Sequence, residues 1–146
     1  MGFAYKIADG GGVYFITCTV NKWVDIFTRK IYTEIAVNSL NHCTENKGLI
    51  IYGYVIMSNH VHLLIQAKEE NLSYILRDFK KFTSQTIIRT LEENKNDTNG
   101  VTTPAFNCLI KHFQKDSKDS NPNQGTPIIQ RIASRFLQIW MPSLHL

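Results

Sequence analysis

Two histidines one residue apart offer the clearest chemistry in this sequence. His60 and His62 lie in the stretch MSNHVHLLIQ, at the head of an apolar run. Side chains at positions i and i+2 of a strand project from the same face, so the two imidazoles are expected side by side. Such a pair can hold one divalent cation; two hydrogen-bonded histidines on a sheet face are the alternative. Two polar rings at the start of so apolar a strand favour a functional site.

The residues around the pair exclude several known uses of such histidines. Histidine-triad nucleotide hydrolases need a third histidine two positions on, where this chain has Leu64. Metallo-β-lactamase-like hydrolases need an Asp-His pair soon afterwards, and zinc peptidases need H-E-x-x-H on a helix; this segment has neither. What remains is a site with two histidines and at least one ligand from elsewhere. Mg²⁺ or Mn²⁺ there would suit phosphodiester chemistry.

The segments around the histidines alternate between strand and helix patterns. Val13–Val20 is rich in β-branched and aromatic residues and predicts a strand, which an amphipathic helix over residues 28–48 follows. Residues 49–57 and 61–67 predict two strands, and the short turn SNH between them makes them antiparallel neighbours. A second helix is predicted from about Asn71 to Asn94. This order predicts an α+β, ferredoxin-like (RRM-like) β-α-β-β-α unit with an antiparallel sheet.

Both helices carry an apolar stripe at helical spacing. In the first, Thr28 is the expected N-cap and Gly48 is placed to end the helix. Its expected buried residues are Ile31, Ile35, Ala36, Leu40 and Cys43. Those of the second helix are Leu72, Ile75, Leu76, Phe79, Phe82 or Thr83, Ile87 and Leu91.

The character of the chain changes after residue 94. Residues 95–127 are polar, rich in Asn, Asp, Lys, Ser and Thr, and broken by Pro104 and Pro122. We therefore expect a domain over residues 1–94 and an irregular, partly disordered C-terminal segment over 95–146. Within it, IIQRIASRFLQIW favours a short helix before Pro142.

Composition sets broad limits on the class of protein. A hydrophobic fraction of 43% and a charged fraction of 19% in 146 residues are ordinary for one globular domain. The longest apolar stretch is too short for a membrane span, and three cysteines without a C-x-x-C pair support neither a disulfide framework nor a zinc ribbon. We therefore expect a cytoplasmic protein. A net charge of +4 permits nucleic acid as a partner without requiring it.

Three blocks of the sequence together resemble a known family. They are YFITCTVNKWVDIFTR, YGYVIMSNHVHLLIQ and LSYILRDFKKFTSQTI, within roughly residues 13–89. In that order they resemble the single-tyrosine transposases of the HUH endonuclease superfamily, which include REP-associated tyrosine transposases and small insertion-sequence transposases. The resemblance implies a ferredoxin-like sheet and a homodimer that acts on single-stranded DNA hairpins at the nucleoid. It also implies that His60 and His62 bind the Mg²⁺ or Mn²⁺ that polarises a scissile phosphate.

The family's nucleophile is a tyrosine on a helix far downstream of the histidines, and here the pattern departs. Tyr74 is the one tyrosine after the histidines, at the start of the second helix, where the family does not keep its nucleophile. RFLQIW is faintly similar to an F-x-F-W block that precedes the catalytic helix, as if the chain ended before that helix. The catalytic residue is therefore unknown, and Tyr74 is an unfavoured candidate. His112 and Gln114 are weighed as a spare metal ligand, although a plain loop role is favoured.

The polar side of the second helix carries the candidate DNA contacts. Arg77, Lys80, Lys81 and Ser84 could follow a DNA backbone, and a solvated helix face explains them equally well. Two other functions remain open beside a strand-nicking and rejoining enzyme. One is a catalytically dead hairpin-binding remnant or repressor, and the other is an unrelated metal-dependent hydrolase.

Overall fold

The protein is an antiparallel sheet covered on one face by two helices. The structure, a computed structural model, describes residues 7, 10–94, 111 and 136–140. Its elements are β1 (Tyr14–Val20), α1 (Lys30–Lys47), β2 (Leu49–Ile56), β3 (His60–Ala67), α2 (Leu72–Glu93) and β4 (Leu137–Trp140). Two short 3₁₀ turns, Asn21–Trp23 and Ile26–Thr28, connect β1 to α1. The predicted β-α-β-β-α order is confirmed, and β4 completes a ferredoxin-like β-α-β-β-α-β unit.

The sheet has the strand order β2-β3-β1-β4, so β3 lies between two neighbours. It pairs antiparallel with β1, from Tyr14 opposite Ile65 to Thr19 opposite His60. Its other neighbour, β2, is also antiparallel, which confirms the prediction from the short turn. The register between β2 and β3 shifts at Tyr52, where one extra residue of β2 makes a bulge.

Alternate residues of β3 point to opposite faces of the sheet, as strand geometry requires. Val61, Leu63, Ile65 and Ala67 are buried, and the residues between them are half-buried. The buried set belongs to one core with both helices, and that core also contains Ile16, Cys18, Val20, Leu49, Ala36, Leu40, Phe79, Ile87 and Leu137. Full burial of one large aliphatic side chain contributes about 1.5–3 kcal/mol. The helices therefore cover one face, and the histidines lie on the open one.

The ends of α1 differ in part from the prediction. The N-cap position is Arg29, not Thr28, whose hydroxyl donates to the carbonyl of Asp25 at 3.0 Å. Gly48 ends the helix as predicted: it adopts a left-handed φ of 73° and its N–H donates to the carbonyl of Cys43. Ile31 is exposed, and Tyr32 and Ser39 are buried instead.

The apolar stripe predicted for α2 is confirmed, with Thr83 rather than Phe82 as its central member. The Thr83 hydroxyl donates to Ser39 Oγ at 2.8 Å, so a buried hydrogen bond joins the two helices. Nearer the surface, Lys47 Nζ lies 2.7 Å from Asp78 Oδ2, and this ion pair also connects α1 with α2. The two contacts fix how the helices lie against each other.

The prediction of a short helix within residues 128–140 is wrong for the last four residues. Leu137–Trp140 form β4, which pairs antiparallel with the free edge of β1. The alternation explains it, because Leu137 is buried, Gln138 is exposed and Ile139 packs on the core again, a period of two. The division of the chain at residue 94 stays a prediction, since most of the C-terminal segment lies outside the described residues.

Two further expectations concern the cysteines and the membrane. Cys18 and Cys43 are buried free thiols, and burial raises the pKa of Cys18 to about 12. Cys108 lies outside the described residues. Neither helix in the part of the chain that the structure describes is long and apolar enough to cross a membrane.

Candidate metal and DNA site

The histidine pair occupies the first and third positions of β3, on the face that the helices leave open. The Nε2 atoms of His60 and His62 lie 3.1 Å apart. The rings stand edge to face, with centroids 4.7 Å apart and an angle of 80° between their planes. The structure therefore brings the two imidazoles together with their Nε2 atoms converging.

The other nitrogen of each ring is held by a neighbouring side chain. His60 Nδ1 lies 2.7 Å from Asn59 Oδ1, and His62 Nδ1 lies 3.0 Å from Thr17 Oγ1. Thr17 reaches His62 because β1 and β3 pair in the register that sets them opposite each other. Hydrogen bonds of this kind orient imidazoles at metal sites. Both rings are thus fixed from behind, and their Nε2 atoms face each other.

The turn before the pair is fixed by main-chain hydrogen bonds. Ser58 and Asn59 connect β2 to β3, and their carbonyls accept from Phe27 N at 2.8 Å and from Val20 N at 2.9 Å. Met57 N donates to the carbonyl of His60 at 2.8 Å and closes the hairpin. The end of β1 and the segment after it therefore hold the turn, and His60 follows it at the first position of β3.

Two aromatic rings frame the pair. Phe15 stacks on His62 with ring centroids 5.4 Å apart, and Trp23 meets His60 edge to face at 6.3 Å. Trp23 is 66% exposed. Lys22 and Trp23 both have a positive φ, 59° and 57°, which is costly for residues other than glycine. The strained turn presents a wide aromatic surface beside the histidines.

The nitrogen separation fits two adjacent ligands of one octahedral cation. Bonds of about 2.1 Å meeting at a right angle set two nitrogens about 3 Å apart. The 3.1 Å between the Nε2 atoms matches this distance. Among the residues that the structure describes, no group of three or more His, Cys, Asp or Glu side chains could hold a metal. The described part of the site therefore offers two candidate protein ligands.

The described tyrosines lie away from the histidines. Tyr74 is 63% exposed at the start of α2, where the guanidinium of Arg77 lies 5.3 Å from its ring centroid. That helix covers the opposite face and begins after the far end of β3. Between His62 and Ala67 the strand alone spans about 17 Å. Tyr74 is therefore remote from the pair, and its role stays a prediction.

The other tyrosines that the structure describes lie in the sheet or in the core. Tyr14 and Tyr32 are buried in the core. Tyr52 and Tyr54 are exposed on the edge strand, and the hydroxyl of Tyr52 donates to Gln66 Oε1 at 2.6 Å. Gln66 is four residues beyond His62 on the same strand face, so Tyr52 also points away from the pair.

The four predicted DNA contacts on α2 have different surroundings. Arg77 and Lys81 are exposed on the helical layer, and the guanidinium of Arg77 pairs with Asp78 at 3.1 Å. Lys80 is half-buried, and this burial lowers the pKa of its amino group. Ser84 is fully buried, and its hydroxyl has no hydrogen-bond partner among the residues that the structure describes. None of these side chains shares the histidine face, because α2 packs on the other one.

Sequence patterns missed three of the residues around the pair. Asn59 directly precedes His60 in the sequence, and its amide side chain could have been recognised there as a hydrogen-bond partner for the imidazole. Thr17 and Trp23 carried no local signal, because strand register and a strained turn bring them there. His112 and Gln114, weighed as a spare metal ligand, lie outside the described residues.

The site is thus a ferredoxin-like sheet with two histidines that converge on its open face. The model of the family described as "Transposase IS200 like" matches residues 12–104, most of the chain. The chain therefore belongs to the IS200-like transposase family, and the resemblance seen in the three sequence blocks is confirmed. The search of curated proteins gives no match.

Two solved structures are similar in shape but distant in sequence. One is a REP-associated tyrosine transposase bound to a REP hairpin, with 15% identity, a TM-score of 0.48, and coverage of 59% of this chain and 52% of that one. The other is a proposed transposase from Deinococcus radiodurans R1, with 12% identity and a TM-score of 0.49. In that case the match covers 80% of this chain and 95% of the other. This chain thus spans about half the length of the hairpin-bound relative.

Proposed function

We propose that this transposase-family protein binds single-stranded DNA hairpins and holds Mg²⁺ or Mn²⁺ with His60 and His62. The carrying observation is the 3.1 Å separation of the two Nε2 atoms on an open sheet face. A bound cation would stabilise negative charge on a phosphate lying against that face. Thr17 and Asn59 orient the rings from behind, and the turn between strands β2 and β3 keeps the two histidines at the surface.

Strand nicking and rejoining through a tyrosine is the finer part of this proposal. The family resemblance supports it, whereas no described tyrosine lies beside the histidines. The position of Tyr74 favours the second candidate function, a protein that binds hairpins without cutting them, as a repressor does. The two candidates share the same DNA-binding face and differ in whether a phosphotyrosine bond forms.

Trp23 extends the proposal to the DNA bases. Single-stranded DNA is bound by aromatic rings on which bases stack, together with cations that follow the backbone. Trp23 offers such a ring next to His60, so a stacked base would bring its phosphate toward the pair. Arg77, Lys80 and Lys81 remain proposed contacts for a hairpin stem that reaches the helical layer. Ser84 is left out because it is buried.

Homodimerisation and a place at the cytoplasmic nucleoid complete the proposal. The edge strand β2 and the turn after it expose Tyr52, Tyr54, Val55 and Met57 along a free edge of the sheet, which a second copy would cover. A lysine on an edge strand discourages such pairing. Sedimentation should therefore show a dimer for the wild type and a monomer for Val55→Lys. Ile31→Lys, at an exposed apolar position on α1, is the control.

A labelled DNA hairpin mixed with protein and Mn²⁺ tests the function. Retarded migration on a native gel measures binding, and a denaturing gel detects a covalent adduct. We expect binding that requires neither Tyr74 nor an adduct, so Tyr74→Phe should behave as the wild type. An adduct that disappears in Tyr74→Phe would make Tyr74 the nucleophile and overturn this placement. An adduct that persists in Tyr74→Phe would support nicking by another residue.

A further inference from the structure

The two imidazoles have chemically different partners at their Nδ1 atoms. Asn59 Oδ1 faces His60 Nδ1, while Asn59 Nδ2 donates to Asp25 Oδ1 at 3.1 Å and to the carbonyl of Trp23 at 3.3 Å. Both of those partners only accept hydrogen bonds, so the amide nitrogen faces them and the amide oxygen faces His60. His60 must therefore donate through Nδ1–H. In its neutral form, its Nε2 carries a lone pair.

His62 has the opposite tautomer in the metal-free pair. Its Nε2 lies 3.1 Å from His60 Nε2, and a hydrogen bond between two nitrogens needs one proton. Since His60 Nε2 has none, that proton is on His62 Nε2. His62 Nδ1 is then an acceptor, and the Thr17 hydroxyl donates to it at 3.0 Å.

A cation between the rings needs a lone pair on both Nε2 atoms. For His62 the Nε2–H bond must break and an Nδ1–H bond must form, with water carrying the proton and no net release. Thr17 Oγ1 permits this change because a hydroxyl both donates and accepts. An amide oxygen, such as the one facing His60, would permit only one tautomer.

We propose that Thr17 is a positioning residue whose hydroxyl lets His62 exchange tautomers when the histidine pair takes up a divalent cation. The inference rests on the proposed metal function. Thr17 is 9% exposed, and its hydroxyl faces His62 Nδ1 directly. Thr19 is the neighbouring threonine on the same strand face. It lies opposite His60 in the register and makes no described hydrogen bond to either imidazole.

Imidazole ¹⁵N spectra of the metal-free wild type test the tautomers directly. At about pH 8, where an ordinary imidazole is neutral, we expect His60 with Nδ1–H and His62 with Nε2–H. Zn²⁺ serves as the probe because it is diamagnetic and binds imidazole. After Zn²⁺ is added, both residues should show Nδ1–H. Metal-free spectra with Nδ1–H on His62 would overturn the assignment, whatever the metal affinity.

Variants test the part that Thr17 plays in metal uptake. Thr17→Val keeps the shape and β-propensity but removes the hydroxyl, so Zn²⁺ affinity by calorimetry should fall about 10–100-fold. Thr17→Ser should restore most of it, and Thr19→Val should leave it unchanged. Equal affinity in Thr17→Val and wild type would overturn the proposal. A wild type that binds no Zn²⁺ would overturn the metal function, while its metal-free spectra would still decide the tautomers.

Discussion

The two faces of β3 carry four residues each and differ in their surroundings. Leu63 and Ile65 on the helix-covered face are completely buried, with 0% exposure. His60 and His62 on the open face are half-buried and hydrogen-bonded through both nitrogens. Strand geometry separates core residues from the proposed ligands within one segment, since adjacent residues of a strand point to opposite faces. Substitutions on the two faces should therefore change different measurable quantities.

Removing a core side chain of β3 should have the largest effect. Leu63→Ala leaves a cavity beneath the helices and should lower the free energy of unfolding by about 2–5 kcal/mol. Leu64→Ala, one residue along on the half-buried open face, is the matched control and should cost clearly less. Urea denaturation measures both. Equal losses would show that the two faces are not distinct in energy.

Removing the histidines should have the converse effect. The double variant His60→Ala with His62→Ala should weaken Mn²⁺ binding by more than about 100-fold, because both proposed ligands are lost. Its free energy of unfolding should change little, since neither ring is in the core. His42→Ala, on α1, is the control for a histidine outside the pair. Unchanged Mn²⁺ affinity in the double variant, measured by calorimetry, would rule out the metal assignment.

DNA binding can be compared between substitutions beside the histidines and substitutions on the helical layer. Loss of one stacked base costs about 1–3 kcal/mol, so Trp23→Ala should weaken hairpin binding about 5–150-fold. A triple alanine variant of Arg77, Lys80 and Lys81 should instead reduce the salt dependence of binding, since phosphate contacts release counterions. Titrations at several salt concentrations measure both. If neither Trp23→Ala nor the triple variant changes the binding, both surfaces leave the proposed interface.

The smallest effect concerns the ion pair between the helices. The hydrogen bond from Lys47 lowers the pKa of the Asp78 carboxyl below its ordinary value of 3.8. The stabilisation of the fold by this ion pair is therefore full above pH 3.8, and it is lost as the pH falls below that value. Asp78→Asn should cost up to about 1 kcal/mol at neutral pH, and the difference from wild type should vanish in acid. Glu34→Gln, in the exposed pair with Lys30, should cost less.

Sequence patterns predicted the elements with local signals. Apolar periodicity located α2 to within one residue at each end, and Gly48 marked the end of α1 through its left-handed conformation. The N-cap of α1 was missed because Thr28 takes part in a 3₁₀ turn. β4 was missed because four residues are too few to show a period, and its partner β1 is more than a hundred residues away.

Of the site, only the histidine pair was predictable from the sequence. The i, i+2 spacing placed His60 and His62 on one face. The hydrogen bond from Thr17 depends on the β1–β3 register, and the exposed position of Trp23 depends on a strained turn. Polar residues on α2 resembled a DNA-binding face. Ser84 is nevertheless buried, because the buried side of α2 extends beyond its apolar residues. Contacts between distant segments leave no local pattern.

The central place of β3 also has a consequence for the dynamics of the site. Because β3 has a partner strand on either side, its amide hydrogens should exchange with solvent only in rare, nearly global openings. The backbone that carries the two imidazoles should therefore stay ordered on timescales shorter than unfolding. The strained turn at Trp23 lies outside the strands and should exchange much faster. A rigid pair beside a mobile ring would let one DNA base be searched for and captured while the ligand atoms stay still.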